Sequence, residues 1–254
     1  MIELLLVLAS NFAIIMVCML LLWALSIRLN DVSFIDSFWA LGFVIIAAAT
    51  YLMADGAPPR QQLLLVITAV WGFRLGGYLF WRWRKHGPDP HYVALAKRAR
   101  GSVHAYTLKS VFLTQGACLW VVSLPVQMGQ LDRTPEDLGP LALFGCVLSG
   151  IGLAFEAIGD WQMARFRADP VNKGRVINKG LWRNTRHPNY FGDTCVWWGL
   201  YLIAAETTTG LFSIPGPILI TYLLVGLTGA AMLERNLGDR AHKRASLRPI
   251  NAIL

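Results

Sequence analysis

GLWRNTRHPNYFGDTCVWWGLYLIAA, residues 180–205, changes character in the middle. The first half carries two arginines, a histidine, a proline and an acid. The second half is apolar and rich in tryptophan. A chain passes from water into hydrocarbon at such a junction, and in hydrocarbon only a helix or a closed barrel satisfies every backbone N–H and C=O. Pro188 fits the first turn of a helix, where its missing N–H costs nothing. His187 or Asn189 then sits at the helix start, where free amides favour anions.

The rest of the chain agrees with a membrane setting. Of 254 residues, 55% are hydrophobic and only 15% are charged, against about 25% charged in a soluble domain; mean hydropathy is +0.48. A bilayer crossing needs about 20 apolar residues. Stretches that qualify lie at 4–27, 34–54, 63–80, 107–128, 138–164, 190–205 and 212–233. The expected fold is therefore all-α, a polytopic integral membrane protein with seven transmembrane helices. The N-terminus lacks the basic region of a cleaved signal, so 4–27 reads as a first span. Cys18, Cys118, Cys146 and Cys195 all lie in apolar stretches without metal-site spacing and read as buried thiols.

Basic residues are placed asymmetrically. With the N-terminus outside, Arg28, the 81–109 loop, the 165–186 loop and the tail after Glu234 lie inside and hold 20 of the 23 lysines and arginines. Arg60 and Arg133 fall in outer loops, and Arg74 falls within a span. The positive-inside rule then predicts an outer N-terminus and a cytoplasmic C-terminus. The net charge of +8 needs no nucleic acid; a basic face beside anionic lipid accounts for it.

Ionisable residues within spans are costly and face the bundle interior. Asp36, Arg74, Glu156, Asp160 and Asp193 are of this kind, and the acids all lie toward the cytoplasmic ends. Glu156 and Asp160, four apart, share a helix face. These acids and the inner basic loops are expected to converge on one polar cavity open to the cytoplasm. Gly72, Gly76 and Gly77 read as sites of close helix packing.

The segment RFRADPVNKGRVINKGLWRNTRHPNYFGD, residues 165–193, interleaves Arg165, Arg167, Lys173, Arg175, Arg183 and Arg186 with Asn172, Gly174, Asn178 and Gly180. Glycines admit close approach of backbone amides, and arginine forks suit phosphate oxygens. The segment reads either as a cradle for a phosphorylated cofactor or as an anchor for lipid headgroups. No P-loop, strand-linked GxGxxG, GxSxG or HExxH occurs, so a soluble dinucleotide fold, a kinase and a hydrolase are unsupported.

RHPNYFGD followed by a tryptophan-rich apolar helix resembles the C-terminal half of the membrane steroid 5α-reductases, and especially a bacterial family of unknown function related to them. The likeness covers about residues 155–233. It implies seven helices in a bacterial inner membrane and a cytoplasm-facing NADPH site. It also implies reduction of a carbon–carbon double bond conjugated to a ketone. A substrate-side half, 1–133, and a cofactor-side half, 134–254, follow from it. By the resemblance Asp160, Arg167 and Arg175 match cofactor contacts, and Asn189 matches a motif asparagine. Asp193 stands where those enzymes have a glutamate at the nicotinamide–ribose end, and Glu156 where they have an asparagine. Arg165, Asn172, Lys173, Arg183, Arg186, His187 and Tyr190 complete the expected cofactor site. The reductases grip the substrate ketone with a glutamate in the second span and a tyrosine in the third; here Asp36 and Tyr78 are the available groups, and either serves as the donor to the developing oxyanion. The tail after residue 234 has no tyrosine, which limits the substrate class to a lipid-soluble enone.

RHPxYxG also occurs in membrane methyltransferases, so the motif by itself leaves S-adenosylmethionine, with a lipid or a prenylated thiol as acceptor, as the alternative to NADPH. The arginines favour NADPH, which carries a pyrophosphate and a 2′-phosphate. His86, His91, His104 and His242 read as interfacial. Trp197 and Trp198 read either as the wall of a substrate cavity or as part of an aromatic belt.

Overall fold

The computed structural model describes residues 2–227. Among these the regular structure is helical: α1 (Ile2–Leu29), α2 (Ile35–Met53), α3 (Pro58–His86), α4 (Pro90–Ala96), α5 (Val103–Thr107), α6 (Thr114–Val122), α7 (Leu124–Met128), α8 (Pro140–Ala168), α9 (Leu181–Asn184), α10 (Pro188–Ala204), α11 (Thr208–Leu211) and α12 (Pro215–Tyr222). Five stretches are long and apolar enough to cross a membrane: α1, α2, α3, α8, and Thr208–Gly226, where α11, α12 and a following π-helical turn run together.

Two expected spans take other forms. The 107–128 segment is divided into α5, a π-helical turn at Leu108–Leu113, α6 and α7. The α6–α7 break falls at Ser123, just before Pro125 in the first turn of α7, as expected of a residue that cannot donate to the preceding turn. The 190–205 span is α10, 17 residues long, with Pro188 in its first turn and His187 as its cap. The end of the 212–233 stretch, the basic tail and His242 lie outside the described residues.

Glycines set how the helices approach. On α8, Gly145, Gly152 and Gly159 recur every seven residues; on α10, Gly192 and Gly199 do the same. A Cβ on Gly199 would meet the Gly145 carbonyl oxygen at 2.5 Å, and one on Gly192 would meet the Gly152 oxygen at 2.5 Å. Gly159 faces Pro188. Two antiparallel helices thus touch backbone to backbone, the geometry that small residues permit in a membrane. On α3, Gly72 and Gly76 similarly face the Ala40 and Ser37 carbonyls of α2 at 2.9 and 3.0 Å. Gly77 differs from expectation: a Cβ there would meet nothing within 4 Å among the described residues, because it is turned about 100° from Gly76 around α3.

Between these helix pairs sits an aromatic core. Phe43, Trp71 and Trp197 are fully buried, with ring centroids 4.5–5.5 Å apart. Trp197 is therefore interior rather than part of a belt, while Trp198 donates to Thr221 of α12 at 3.1 Å. A buried polar knot ties α1 to α2 and α7, with Asn11 donating to Thr50 at 2.8 Å and to Gln127 at 3.0 Å. The thiols are free, but only Cys195 is buried; Cys146 is exposed, on the outer face of α8.

The two ends of the bundle differ in chemistry. At one end Arg60, expected in a loop, is fully buried in the first turn of α3. It donates to the carbonyls of Gly129, Asp132 and Pro135 at 3.1, 2.5 and 2.9 Å. Glu206 caps α8 there by accepting from Gly139 and Ala142. The other end gathers Arg28 and the 81–109 and 165–186 loops: Trp83 donates to Asp31 at 2.7 Å, and Trp23 donates to the His104 carbonyl.

Gly199→Val is expected to lower stability by about 1–3 kcal/mol, the usual cost of overpacking, whereas Gly150→Ala, whose added Cβ meets nothing within 4 Å among the described residues, is expected to raise it by up to about 1 kcal/mol. Thermal unfolding in detergent compares the two.

Candidate functional site

Three of the four intramembrane acids, Glu156, Asp160 and Asp193, converge on Arg74, whereas Asp36 does not. The position of Arg74 in the middle of α3 aims it at α8. Nη1 donates to Asp160 Oδ2 at 2.9 Å, and Nη2 pairs with Glu156 Oε2. Trp71, one turn earlier on α3, donates its indole N–H to Glu156 Oε1 at 2.9 Å. Residues 71 and 74 on one helix thus meet residues 156 and 160 on the other, so each carboxylate faces a donor. Glu156 and Asp160 are buried, and Arg74 is partly exposed.

The glycine contact brings α10 into the same cluster. A Cβ on Gly192 would lie 2.8 Å from the Glu156 backbone nitrogen, which places the neighbouring Asp193 beside the ion pairs. Asp193 is buried and within electrostatic range of Arg74 and Asp160. The Asn189 side chain approaches the Asp160 carboxylate. Tyr190 stacks on His187 with centroids 5.1 Å apart and is within range of Asp160 and Asp193. Arg74 therefore faces three carboxylates, and Arg82 is also within electrostatic range of Asp160. The Trp197 indole lies beside the Asp193 carboxylate, and three further buried polar atoms here, Arg74 Nε, Asn189 Oδ1 and Asp193 Oδ1, have no hydrogen-bond partner among the described residues. Buried polar groups are ordinarily paired, so this set fits a polar ligand carrying both donors and acceptors.

Of the expected donor groups, Tyr78 borders this cluster. It is half-buried, stacks on Trp81 at 5.9 Å, and is within electrostatic range of Asp160, Arg82 and Arg167. Asp36 belongs elsewhere. It accepts from Tyr92 of α4 at 2.5 Å, and Tyr92 in turn accepts from Gln115 of α6 at 2.8 Å. Burial raises the Tyr92 phenol well above its ordinary pKa, and the adjacent Asp36 carboxylate raises it further. Nearby, burial works to raise the Asp31 carboxyl, but hydrogen bonds from Ser33 and Trp83 hold it below its usual range.

The basic segment folds back on the end of α8. Trp182 donates to the Gly159 carbonyl at 3.0 Å, Gln162 accepts from the Leu181 N–H at 3.0 Å, and Asn172 donates to the Phe166 carbonyl at 3.0 Å. Asn172 thus closes a helix end. Arg167, Lys173, Arg175 and Arg183 are exposed and form no ion pair with the described residues. Arg186 is also exposed. The expectation of one cavity shared by acids and bases is not met at Arg165. At 100° per residue, Arg167 lies about 20° from Asp160 around α8, and Arg165 about 140° away. Arg165 instead packs over Trp161 at 5.5 Å and borders an open pocket of about 350 Å³ in whose lining Glu156, Asp160 and Asp193 take no part.

Sequence reasoning singled out Arg74 as a misplaced charge but gave it no role in the site. It also passed over Trp71, Tyr92 and Gln115. Trp71 carried a signal, since it lies one turn from Arg74. Tyr92 carried none, because a tyrosine in a basic loop is ordinary.

The family described as "Protein of unknown function (DUF1295)" matches residues 22–250, and the chain belongs to that family. No curated protein and no solved structure matches it.

Arg74→Met leaves two buried carboxylates without their counter-charge and is expected to cost about 3–5 kcal/mol. Adding Glu156→Gln and Asp160→Asn recovers part of that loss. Thermal unfolding of the single and triple variants measures both effects.

Proposed function

We propose that this DUF1295 chain is a membrane-embedded NADPH-dependent reductase of a carbon–carbon double bond conjugated to a ketone, acting on a lipid-soluble steroid- or isoprenoid-like substrate. In this reading the chain has seven spans in a bacterial inner membrane, with the N-terminus outside, the C-terminus inside and the cofactor site open to the cytoplasm. One observation carries it: a buried cluster whose acceptors have no partner among the described residues lies at the start of α10, beneath a basic segment whose exposed cations Arg167, Lys173, Arg175 and Arg183 form no ion pair with the described residues. The resemblance around RHPNYFGD points the same way.

The residues fit that group. Asn189 Oδ1 and Asp193 Oδ1 suit the hydroxyl and amide donors of a ribose and a carboxamide. Arg167 and Arg175, with their neighbours, suit the pyrophosphate and the 2′-phosphate. Bound there, the cofactor supplies a hydride to the double bond. Arg74 holds Glu156 and Asp160 in place. Tyr78 is the better placed donor to the substrate carbonyl oxygen, because it borders the acid cluster, whereas Asp36 is held by Tyr92.

A second reading, a methyltransferase that uses S-adenosylmethionine and acts on a lipid or a prenylated thiol, is favoured by a different feature. Three clustered carboxylates suit a cationic sulfonium. The exposed basic residues, which form no ion pair with the described residues, weigh against it.

Heat stability of the detergent-purified full chain, titrated with NADPH, NADH and S-adenosylmethionine, separates the readings. NADPH is expected to stabilise most, and selective stabilisation by S-adenosylmethionine overturns the reductase. Arg167→Ala and Arg175→Ala are each expected to weaken NADPH by on the order of tenfold, the loss of a charged hydrogen bond, with less effect on NADH. Asp193→Asn is expected to abolish NADPH consumption with an enone substrate while leaving the unfolding temperature near that of the parent.

A further inference from the structure

Arg165 is left over from the cofactor reading, and its surroundings form a site of their own. Along α8, Phe144, Val147, Ile151, Ile158 and Trp161 are exposed. They recur at intervals of three, four and seven, so they form one stripe on the outer face. Arg165 continues that stripe one turn beyond Trp161 and packs over its ring at 5.5 Å, the arrangement of a cation–π pair. From Phe144 to Arg165 the helix rises about 30 Å, the thickness of the hydrocarbon core. An apolar track therefore runs the depth of the bilayer and ends in a tryptophan and a guanidinium at headgroup level.

The end of the track is built rather than merely charged. Gln162 holds the Gly180–Leu181 backbone against α8, which brings Lys179 to the pocket that Arg165 borders. Asn172, tied to the Phe166 carbonyl, forms another wall. Asp169 also lines the pocket, but its Oδ1 accepts from the Val171 N–H and is turned to its own backbone. Arg165 and Lys179 form no ion pair with the described residues.

We propose that this end of α8 binds an anionic phospholipid, with the headgroup phosphate between Arg165 and Lys179 and an acyl chain along the stripe that ends at Trp161. The inference rests on the membrane setting and on this pocket, not on the identity of the cofactor. A free phosphate would use the two cations but not the apolar track; a neutral lipid would use the track but not the cations. The site would keep a lipid beside the basic segment and hold α8 at a fixed depth.

The test uses the detergent-purified full chain and follows heat stability during titration with phosphatidylglycerol or phosphatidylcholine in mixed micelles, with inorganic phosphate as a third arm. Phosphatidylglycerol is expected to stabilise selectively. The double variant Arg165→Ala/Lys179→Ala is expected to lose about 25-fold in apparent affinity for it, at about fivefold per basic residue, while Arg165→Lys/Lys179→Arg retains it. Trp161→Ala, with both cations present, is expected to weaken the same lipid. Equal responses to the two lipids, an equal response to inorganic phosphate, or a preference that survives the double alanine variant overturns the proposal. Saturating NADPH is expected to leave the lipid titration unchanged. Competition between them would give the pocket to the nucleotide and also overturn the proposal, whereas failure of NADPH to bind at all would sink the reductase reading and leave the lipid site standing.

Discussion

The backbone contact between α8 and α10 depends on having no side chain where the two helices cross. Gly145 against Gly199, Gly152 against Gly192 and Gly159 against Pro188 set an antiparallel register over four turns. In hydrocarbon there is no hydrophobic force to press two apolar helices together, so close van der Waals contact between small residues decides which surfaces meet. Once that register is set, Glu156 lies beside Gly192, and the start of α10, with Asn189, Tyr190 and Asp193, is delivered to the acidic turn of α8. The polar cluster is thus a consequence of the glycine contact.

Arg74 then joins the two parts of the chain. It belongs to α3 and bonds to two carboxylates on α8, while Trp71 adds a neutral donor to one of them. A charge in the bilayer interior is tolerated when it is paired and faces the bundle, and each of these three charges meets that condition. Asp193 forms no ion pair among the described residues; it lies beside the Trp197 indole, and its Oδ1 has no hydrogen-bond partner among them. Together with the Asn189 oxygen and Arg74 Nε, it leaves a cluster that is structurally supported yet incompletely satisfied among the described residues. The Asn11 knot shares this feature: Asn11 donates to Thr50 and Gln127 across three helices, while its own Oδ1 has no hydrogen-bond partner among the described residues.

The basic end has a division of labour that follows from helix geometry. Arg167 shares the face of Asp160, and Arg165 shares the face of Trp161. Two arginines two residues apart therefore look in different directions, one toward the bundle's polar interior and one along its lipid-facing side. The opposite end has a different character, with Arg60 bound to loop carbonyls and Glu206 capping α8, so that its charges serve the turns themselves.

The amino-acid sequence by itself determined the class of the protein. Hydropathy and charge density are set by the solvent that each segment must face, so the membrane setting, the helical architecture, the gathering of basic residues in the 81–109 and 165–186 loops and the helix start at Pro188 were all legible along the chain. The convergence of Glu156, Asp160 and Asp193 was legible too, because intramembrane acids must turn inward. Only the tertiary structure decided their partners. Which side chain meets Arg74, why Asp36 pairs with Tyr92 instead of Tyr78, why Gly77 packs against none of the described residues and why Arg165 parts from Arg167 all depend on the rotation and register of helices distant in sequence. Those are fixed by where glycines let backbones touch, a condition that both partner segments set together and neither reveals alone.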